Sequence, residues 1–194
     1  MLRAFIVLSA LLLAEFVVVF YGTDLAAAQR SGRMQVGFAW ETAIPFHRWA
    51  FLVYFSVFAL PFSIPFVVRE RSELRRWGLR MATTIAVAGL VFLVFPAQLE
   101  YPPDTGGGRI VGLARSICGT YNLLPSLHVA LTVVIIASLW PHLGKRGKWL
   151  FSGWGAALLA STLLTHQHHV LDVVAGLALS CVVCLVIRIN AAPS

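Results

Sequence analysis

The hydrophobic residues of this 194-residue chain fall into six runs that are separated by more polar segments. The runs cover residues 2–21, 49–68, 81–95, 126–140, 149–165 and 169–187. An apolar helix of about 20 residues crosses the roughly 30 Å hydrocarbon core of a bilayer, and shorter runs suffice where their ends enter the interface. The pattern predicts an all-α integral membrane bundle of six helices that forms a single domain over residues 1–194.

Polar or helix-breaking residues interrupt two of these runs. Pro61 and Pro65 should bend the second helix, because proline lacks the amide hydrogen that the helix needs. Glu15 lies in the middle of the first run, and the sequence offers no obvious partner for it. Arg3, the first run and three alanines at 26–28 also resemble a secretory signal with its cleavage site. The run is long for a signal and contains a carboxylate, so a retained helix is favoured.

Charge distribution predicts the orientation of the bundle. Hydrophobic residues make up 59% of the chain and charged residues 12%, which excludes an ordinary soluble domain, and the net charge is +7. With six spans, one side of the membrane holds Arg3, Arg69, Arg71, Arg75, Arg76, Arg80, Lys145, Arg146, Lys148 and Arg188. The other side holds Arg30, Arg33, Arg48, Arg109 and Arg115. The positive-inside rule therefore predicts cytoplasmic termini, in what we expect to be a bacterial inner (plasma) membrane. The basic charge is read as this topological signal and not as a nucleic-acid-binding surface.

Motifs for metals and nucleotides are not found in the sequence. Cys181 and Cys184 lie inside an apolar run and, with Cys118, are interpreted as small core residues. The three glycines at 106–108 lack the Lys-Ser/Thr of a phosphate loop. No cofactor and no metal is therefore predicted.

The segment "YNLLPSLHVA", residues 121–130, begins the fourth predicted helix on the outer side. Proline and serine are favoured where a helix starts, since Pro125 needs no amide partner there and Ser126 can cap a free N–H group. A helix N-terminus also presents unpaired N–H groups and a positive dipole end, which bind phosphate. His128 is expected to point toward the same place.

The segment "STLLTHQHHVLD", residues 161–172, joins the fifth and sixth predicted helices, also on the outer side. His168 follows His128 by 40 residues, which two helices of about 17 residues and a short turn account for. We therefore expect both imidazoles at one site. Asp172, four residues after His168, would face it on a helix and fix its tautomer. The alternative is a structural polar clamp between helices. His166 and His169 are typical of interfacial histidines that face water or head groups.

These two segments resemble motifs of the type 2 phosphatidic-acid phosphatase superfamily, which also includes vanadium haloperoxidases. "PSLH", residues 125–128, is similar to its Pro-Ser-x-His motif. Ser161, Thr162, His168 and Asp172 match the spacing of its Ser-Arg-x5-His-x3-Asp motif, and the form of both motifs resembles inositol-phosphorylceramide synthases and related bacterial lipid phosphatases.

The resemblance implies a role for each of these residues. His168 would be the nucleophile, Asp172 would orient it, and His128 would be the general acid and then the base. Ser126 and Ser161 would help to hold the phosphoryl oxygens.

The sequence departs from the family where the phosphate should meet positive charge. The family's Lys-x6-Arg-Pro motif would lie at the outer end of the third helix, where residues 95–103 read "FPAQLEYPP". Thr162 replaces the arginine of the other motif. The candidates to supply the missing charge are Arg109, Arg115 and His166.

Three hypotheses follow for the function. The leading one is a metal-independent phosphatase of lipid phosphates at the extracytoplasmic face, with a phosphohistidine intermediate and with membrane lipids as its surroundings. The second keeps this chemistry but transfers the phosphoryl or phospho-head-group to an acceptor alcohol. The third is a small transporter or metal-handling protein that uses His166, His168 and His169. The sequence does not indicate an oligomeric state.

Overall fold

The computed structural model describes residues 1–101 and 108–189, without the side chains of residues 108, 110, 115, 116 and 189. The helices are α1 (Leu2–Ala28), α2 (Ala50–Phe55), α3 (Ile64–Val67), α4 (Arg71–Val94), α5 (Gly108–Cys118), α6 (Leu127–Leu139), α7 (Lys145–Leu164) and α8 (Val170–Ile189). Two short strands, β1 (Met34–Gln35) and β2 (Ala97–Gln98), pair in parallel with Met34 opposite Ala97. The all-α prediction is thus confirmed apart from this one small pair.

A helix occupies each of the six predicted runs, and the second run is broken as its prolines predict. Short 3-10 turns, Ser56–Phe58 and Leu60–Ser63, join α2 to α3, and the two halves of this run meet at 56°. Pro61 and Pro65 stand at the second position of the second turn and of α3. Neither can donate a helical hydrogen bond, which explains a break at this place.

By length and composition, fewer of the described helices qualify as membrane spans than the six predicted runs. Among the described residues, α1, α4 and α8 are long and apolar enough to span, and the bent pair could make a fourth span. The apolar helix Leu127–His142, which is α6 with a final 3-10 turn, is shorter. Helix α7 begins with Lys145, Arg146 and Lys148, which lowers its hydropathy.

Helix α1 packs along α4 by contacts between aromatic rings and glycines. The Phe5 and Trp77 ring centroids are 5.8 Å apart. Gly78 and Gly89 of α4 face Leu8 and Val19 so closely that a Cβ atom would collide with each of them. Small residues let helices approach in this way inside a membrane, where dispersion contacts drive association.

The helices bring one set of ends together around the two sequence motifs. At the C-terminal end of α1, Asp24 Oδ1 accepts hydrogen bonds from the amides of Thr120 (2.9 Å) and Tyr121 (2.8 Å). The C-terminal ends of α4 and α7 lie at this same end, with the N-terminal ends of α6 and α8. Arg80 lies toward the opposite end, buried, with its guanidinium 3.3 Å from the Cys184 carbonyl oxygen.

Candidate active site

Ser126 begins α6 and is completely buried. Its hydroxyl accepts a hydrogen bond from the Val129 amide at 3.4 Å, so it is the helix cap that the sequence predicts. The amides of Leu127 and His128 have no acceptor in the described part of the chain. The first turn of α6 therefore presents free N–H groups beside His128.

His168 lies in the turn between α7 and α8, and its ring meets that of His128 across the bundle. The two ring centroids are 5.8 Å apart. The side chain of His168 is nearly buried, at 6% exposure. The predicted convergence of these imidazoles, 40 residues apart in the chain, is thus present in the structure.

Asp172 contacts His168 and also caps its own helix. Its Oδ2 lies 3.4 Å from His168 Nδ1 and accepts a 2.8 Å hydrogen bond from the His169 amide. Because α8 starts at Val170, His168 precedes the helix, and Asp172 holds the capping-box position at its third residue. The His168–Asp172 distance suits an ion pair but exceeds that of a well-aligned hydrogen bond, and such bonds often tighten only when substrate is bound.

Tyr54 of α2 holds the other histidine. Its ring stacks on His128 at 4.1 Å, and its hydroxyl lies 3.4 Å from His128 Nδ1. The remaining ring nitrogen, Nε2, has no hydrogen-bond partner among the described residues. An aromatic residue inside an apolar run gives no sequence signal for this role, and the sequence analysis did not identify it.

The other predicted phosphate ligands differ in their surroundings. Ser161 donates its hydroxyl hydrogen to the Leu158 carbonyl oxygen at 2.6 Å, within its own helix. Arg109 is exposed on α5, and the side chain of Arg115 lies outside the described part of the structure.

His166 and His169 are buried, so the expectation that they face water or head groups is wrong. They are 8% and 2% exposed. His166 Nε2 lies 2.9 Å from the Ile44 carbonyl oxygen, to which it donates, and its ring stacks on Tyr101 at 4.1 Å. Burial lowers the pKa of His166, which is therefore held as a neutral ring in this state.

His169 belongs to a second buried group, which we call the Glu41 cluster: Glu41, Glu100, Tyr101 and His169. Glu41 Oε2 lies 2.6 Å from His169 Nδ1, and both side chains are at least 98% buried. The Glu100 amide donates to His169 Nε2 at 3.1 Å. Since Nε2 accepts, the ring proton is on Nδ1 and is donated to Glu41.

The Glu41 cluster fastens two irregular segments, one containing Gly37 and Glu41 and the other Glu100 and Tyr101, to the turn that contains His168. Glu41 Oε1 accepts from the Val170 amide at 3.2 Å, and Glu100 Oε2 accepts from the Gly37 amide at 2.7 Å. Tyr101 stacks on His169 at 4.6 Å, and its hydroxyl lies 3.3 Å from the His168 carbonyl oxygen. Burial and the nearby carboxylate raise the pKa of Tyr101, so its hydroxyl stays protonated and can donate. Residues 95–101, which belong to the segment where the family motif would supply cations, instead anchor this turn.

The histidines of this turn do not form a metal-binding group. Their nearest polar partners differ: Ile44 for His166, Asp172 for His168 and Glu41 for His169. Across residues 1–101 and 108–189, no three His, Cys, Asp or Glu side chains are placed to share an ion.

Gly176 sets the distance between the two halves of the site. A Cβ atom at Gly176 of α8 would lie 2.6 Å from the Ser126 carbonyl oxygen at the start of α6. We expect Gly176→Ala to push α8 away from α6, to lower stability by about 1–3 kcal/mol, and to separate His168 and Asp172 from His128. Thermal unfolding and phosphate release from a lipid phosphate both measure this effect.

Gly153→Ala is the matched control, because Gly153 lies on exposed α7 with open space around its Cβ position. It should be neutral or stabilising by about 0.5–1 kcal/mol. A Gly176→Ala protein with unchanged unfolding and activity would contradict the close contact.

These helices and this polar centre define a helical membrane protein with a histidine pair and a carboxylate at one end of its bundle. The family model described as the PAP2 superfamily matches residues 34–186, and the chain belongs to that superfamily. The resemblance seen in the two motifs is thereby confirmed at the level of the superfamily, and the narrower branch stays a prediction. No curated protein and no solved structure matches the chain. Membership in the PAP2 superfamily supports a phosphatase-like function on lipid phosphates.

Proposed function

We propose that this protein is a phosphatase of membrane lipid phosphates that works through a phosphohistidine. The observation that carries the proposal is the pairing of His128 and His168, with ring centroids 5.8 Å apart and Asp172 beside the second ring. A phosphoryl group between these rings has a nucleophile on one side and a proton donor on the other.

In the first step, Nε2 of His168 attacks phosphorus and the P–O bond to the lipid breaks. Nε2 is the nitrogen for this role, because Nδ1 faces Asp172. His128 gives a proton to the leaving oxygen, which departs as an alcohol or, from a diphosphate, as a lipid monophosphate. The carboxylate of Asp172 balances the positive charge that develops on the His168 ring.

In the second step, water attacks the phosphorus of the phosphohistidine. His128, now neutral, takes a proton from this water, the P–N bond breaks and inorganic phosphate is released. His168 returns to its neutral form, so the steps balance with residues of this chain and one water molecule. An acceptor alcohol in place of water would give the transferase reaction.

The phosphoryl oxygens carry negative charge that the site must meet. We assign this to Ser126 and to the free amides at the N-terminus of α6, where the helix dipole is positive. Arg109 and Arg115 of α5 are the candidate cations, as is His166 once it gains a second proton. The Nδ1 atom of His166 has no hydrogen-bond partner in the described structure and is the atom that would bind this second proton, taken up from solvent.

The experiment is a phosphate-release assay with purified protein and a panel of lipid monophosphates and diphosphates. Wild-type protein should release phosphate from at least one, and the activity should depend on His168 and His128. Adding long-chain alcohols separates the reactions, since transfer gives a new phospholipid instead of free phosphate. No reaction with any member of the panel would contradict the proposal.

We propose that the site faces the extracytoplasmic side, because the ten cations listed for the cytoplasmic side are at the other end of the helices. Two exposed residues test this: Thr42, next to Glu41 at the site end, and Ser72, at the start of α4. In a cysteine-free protein in intact bacteria, a membrane-impermeant maleimide should label Thr42→Cys and not Ser72→Cys. The reverse labelling would show the opposite orientation.

A further inference from the structure

An apolar groove runs from His128 along the inner face of α1. Its volume is about 260 Å³, and it is bordered by α1, the bent α2–α3 segment, α4, the end of α5 and α6. His128 lines one end, while Phe5 and Trp77 line the other. The groove therefore begins at a residue of the proposed phosphate site and leads away from it into the bundle.

The α1 wall gives the length of the groove. Its lining residues extend from Phe5 to Phe20 on one face of the helix, and 15 residues at about 1.5 Å each correspond to roughly 22 Å. One leaflet of a bilayer contributes about 15 Å, half of the roughly 30 Å hydrocarbon core. The groove is thus longer than one leaflet is thick. Its small volume over this length suits one hydrocarbon chain and not two side by side.

The groove has a buried floor and an exposed rim. Trp77 and Ile85 on the floor are 1% and 2% exposed. Leu13 of α1 and Phe62 of the bent segment, on the rim, are 64% and 65% exposed. In a membrane these rim residues contact lipid, so a hydrocarbon chain can enter sideways without crossing a polar surface.

We propose that this groove binds one hydrocarbon tail of the lipid phosphate and selects substrates by the length of that tail. A hydrocarbon tail is the expected occupant because the groove is continuous with the proposed phosphate site: it begins at His128, where the phosphate would bind. The inference rests on the proposed function for the identity of the head group. It adds the substrate class: lipid phosphates with at least one tail longer than one leaflet is thick, of which prenyl chains are an example.

Ser9 and Leu12 provide two depths at which the groove can be blocked. Ser9 is 11 residues from Phe20 along α1, roughly 16 Å, and Leu12 is 8 residues away, about 12 Å. Tryptophan at either position fills the groove, so the longest useful tail should be shorter for Leu12→Trp than for Ser9→Trp. Leu11→Trp is the matched control, because Leu11 points outward at 63% exposure.

The first measurement is kcat/KM for a series of n-alkyl monophosphates from octyl to octadecyl, with thermal unfolding as the check of folding. Each methylene moved from water into an apolar site changes affinity by up to about fourfold. The ratio for octadecyl to decyl phosphate should fall at least about tenfold in Ser9→Trp, where two or more methylenes lose their contacts. The ratio should be unchanged in Leu11→Trp. Equal ratios in all variants would overturn the proposal.

The second measurement does not depend on catalysis. Hexadecyl phosphonate with a diazirine on its last carbon cannot be hydrolysed, and after irradiation it should label Phe5, Ser9 or Trp77. Labelling confined to outward residues such as Leu11 and Val18 would overturn the groove. Labelling inside the groove by a protein that releases no phosphate from any lipid would instead contradict the proposed function and leave the groove standing.

Discussion

His168→Ala is expected to lose at least about 10³-fold in kcat for phosphate release, because no other group can form the covalent intermediate. His128→Ala should lose about 10²–10⁴-fold, the usual contribution of a general acid and base. The two variants should also differ in whether they form the covalent phosphoprotein. With a radiolabelled lipid phosphate, wild-type protein should trap an acid-labile, base-stable phosphoprotein, His128→Ala should still form it with a good leaving group, and His168→Ala should not.

His169→Ala is not a suitable control for this experiment, because His169 is part of the Glu41 cluster. His47→Ala is better matched, since His47 is exposed at the same end of the bundle. It should retain wild-type activity. Phosphate release by His168→Ala at the wild-type rate would contradict the mechanism.

Glu41→Ala is expected to lower the free energy of unfolding by about 3–5 kcal/mol, because it removes two buried hydrogen bonds to a carboxylate, each contributing about 1.5–3 kcal/mol. The change leaves His169 Nδ1–H and the Val170 amide without their acceptor at almost complete burial. In a chain of this size the loss corresponds to a fall of roughly 6–20 °C in Tm. Phosphate release should fall too, since the cluster holds the turn that contains His168.

Three further variants separate the loss of these hydrogen bonds from a general effect of substitution. Glu41→Gln keeps an oxygen acceptor and should lose less. Glu70→Ala removes an exposed carboxylate with no capping bond and should stay within about 0.5 kcal/mol of wild type. Glu41→Ala combined with His169→Ala should cost less than the sum of the single changes, because both break the same contact. Additive losses would mean that the two residues act independently.

The part of the site that the sequence predicts depends on regular geometry. The convergence of His128 and His168 could be predicted because helix rise and loop position determine where each motif lies. Ser126 could be predicted as a helix cap because serine directly before an apolar helix is a strong capping signal. The bend at Pro61 and Pro65 follows from covalent structure in the same way. Each of these inferences needs only local information and the number of residues between segments.

The part that the sequence does not predict depends on contacts between irregular segments. Glu41 and His169 are separated by 128 positions, and neither lies in a pattern that indicates its partner. Their burial also explains why the interfacial interpretation of His169 was wrong, since a polar residue at a helix end resembles a solvated one until its partner is known. Helix α5 was missed for a similar reason: Val111 and Ala114 pack against Phe51 and Tyr54, which is tertiary information.

Helix α1 lies entirely outside the stretch that the superfamily model matches, yet it forms a wall of the groove. The proposed chemistry and the proposed tail preference are thus divided between two parts of one chain. Exchanging the first helix between related proteins should transfer the preference for lipid tail length and leave the reaction unchanged. This helix is therefore a position at which related proteins can diverge in substrate preference.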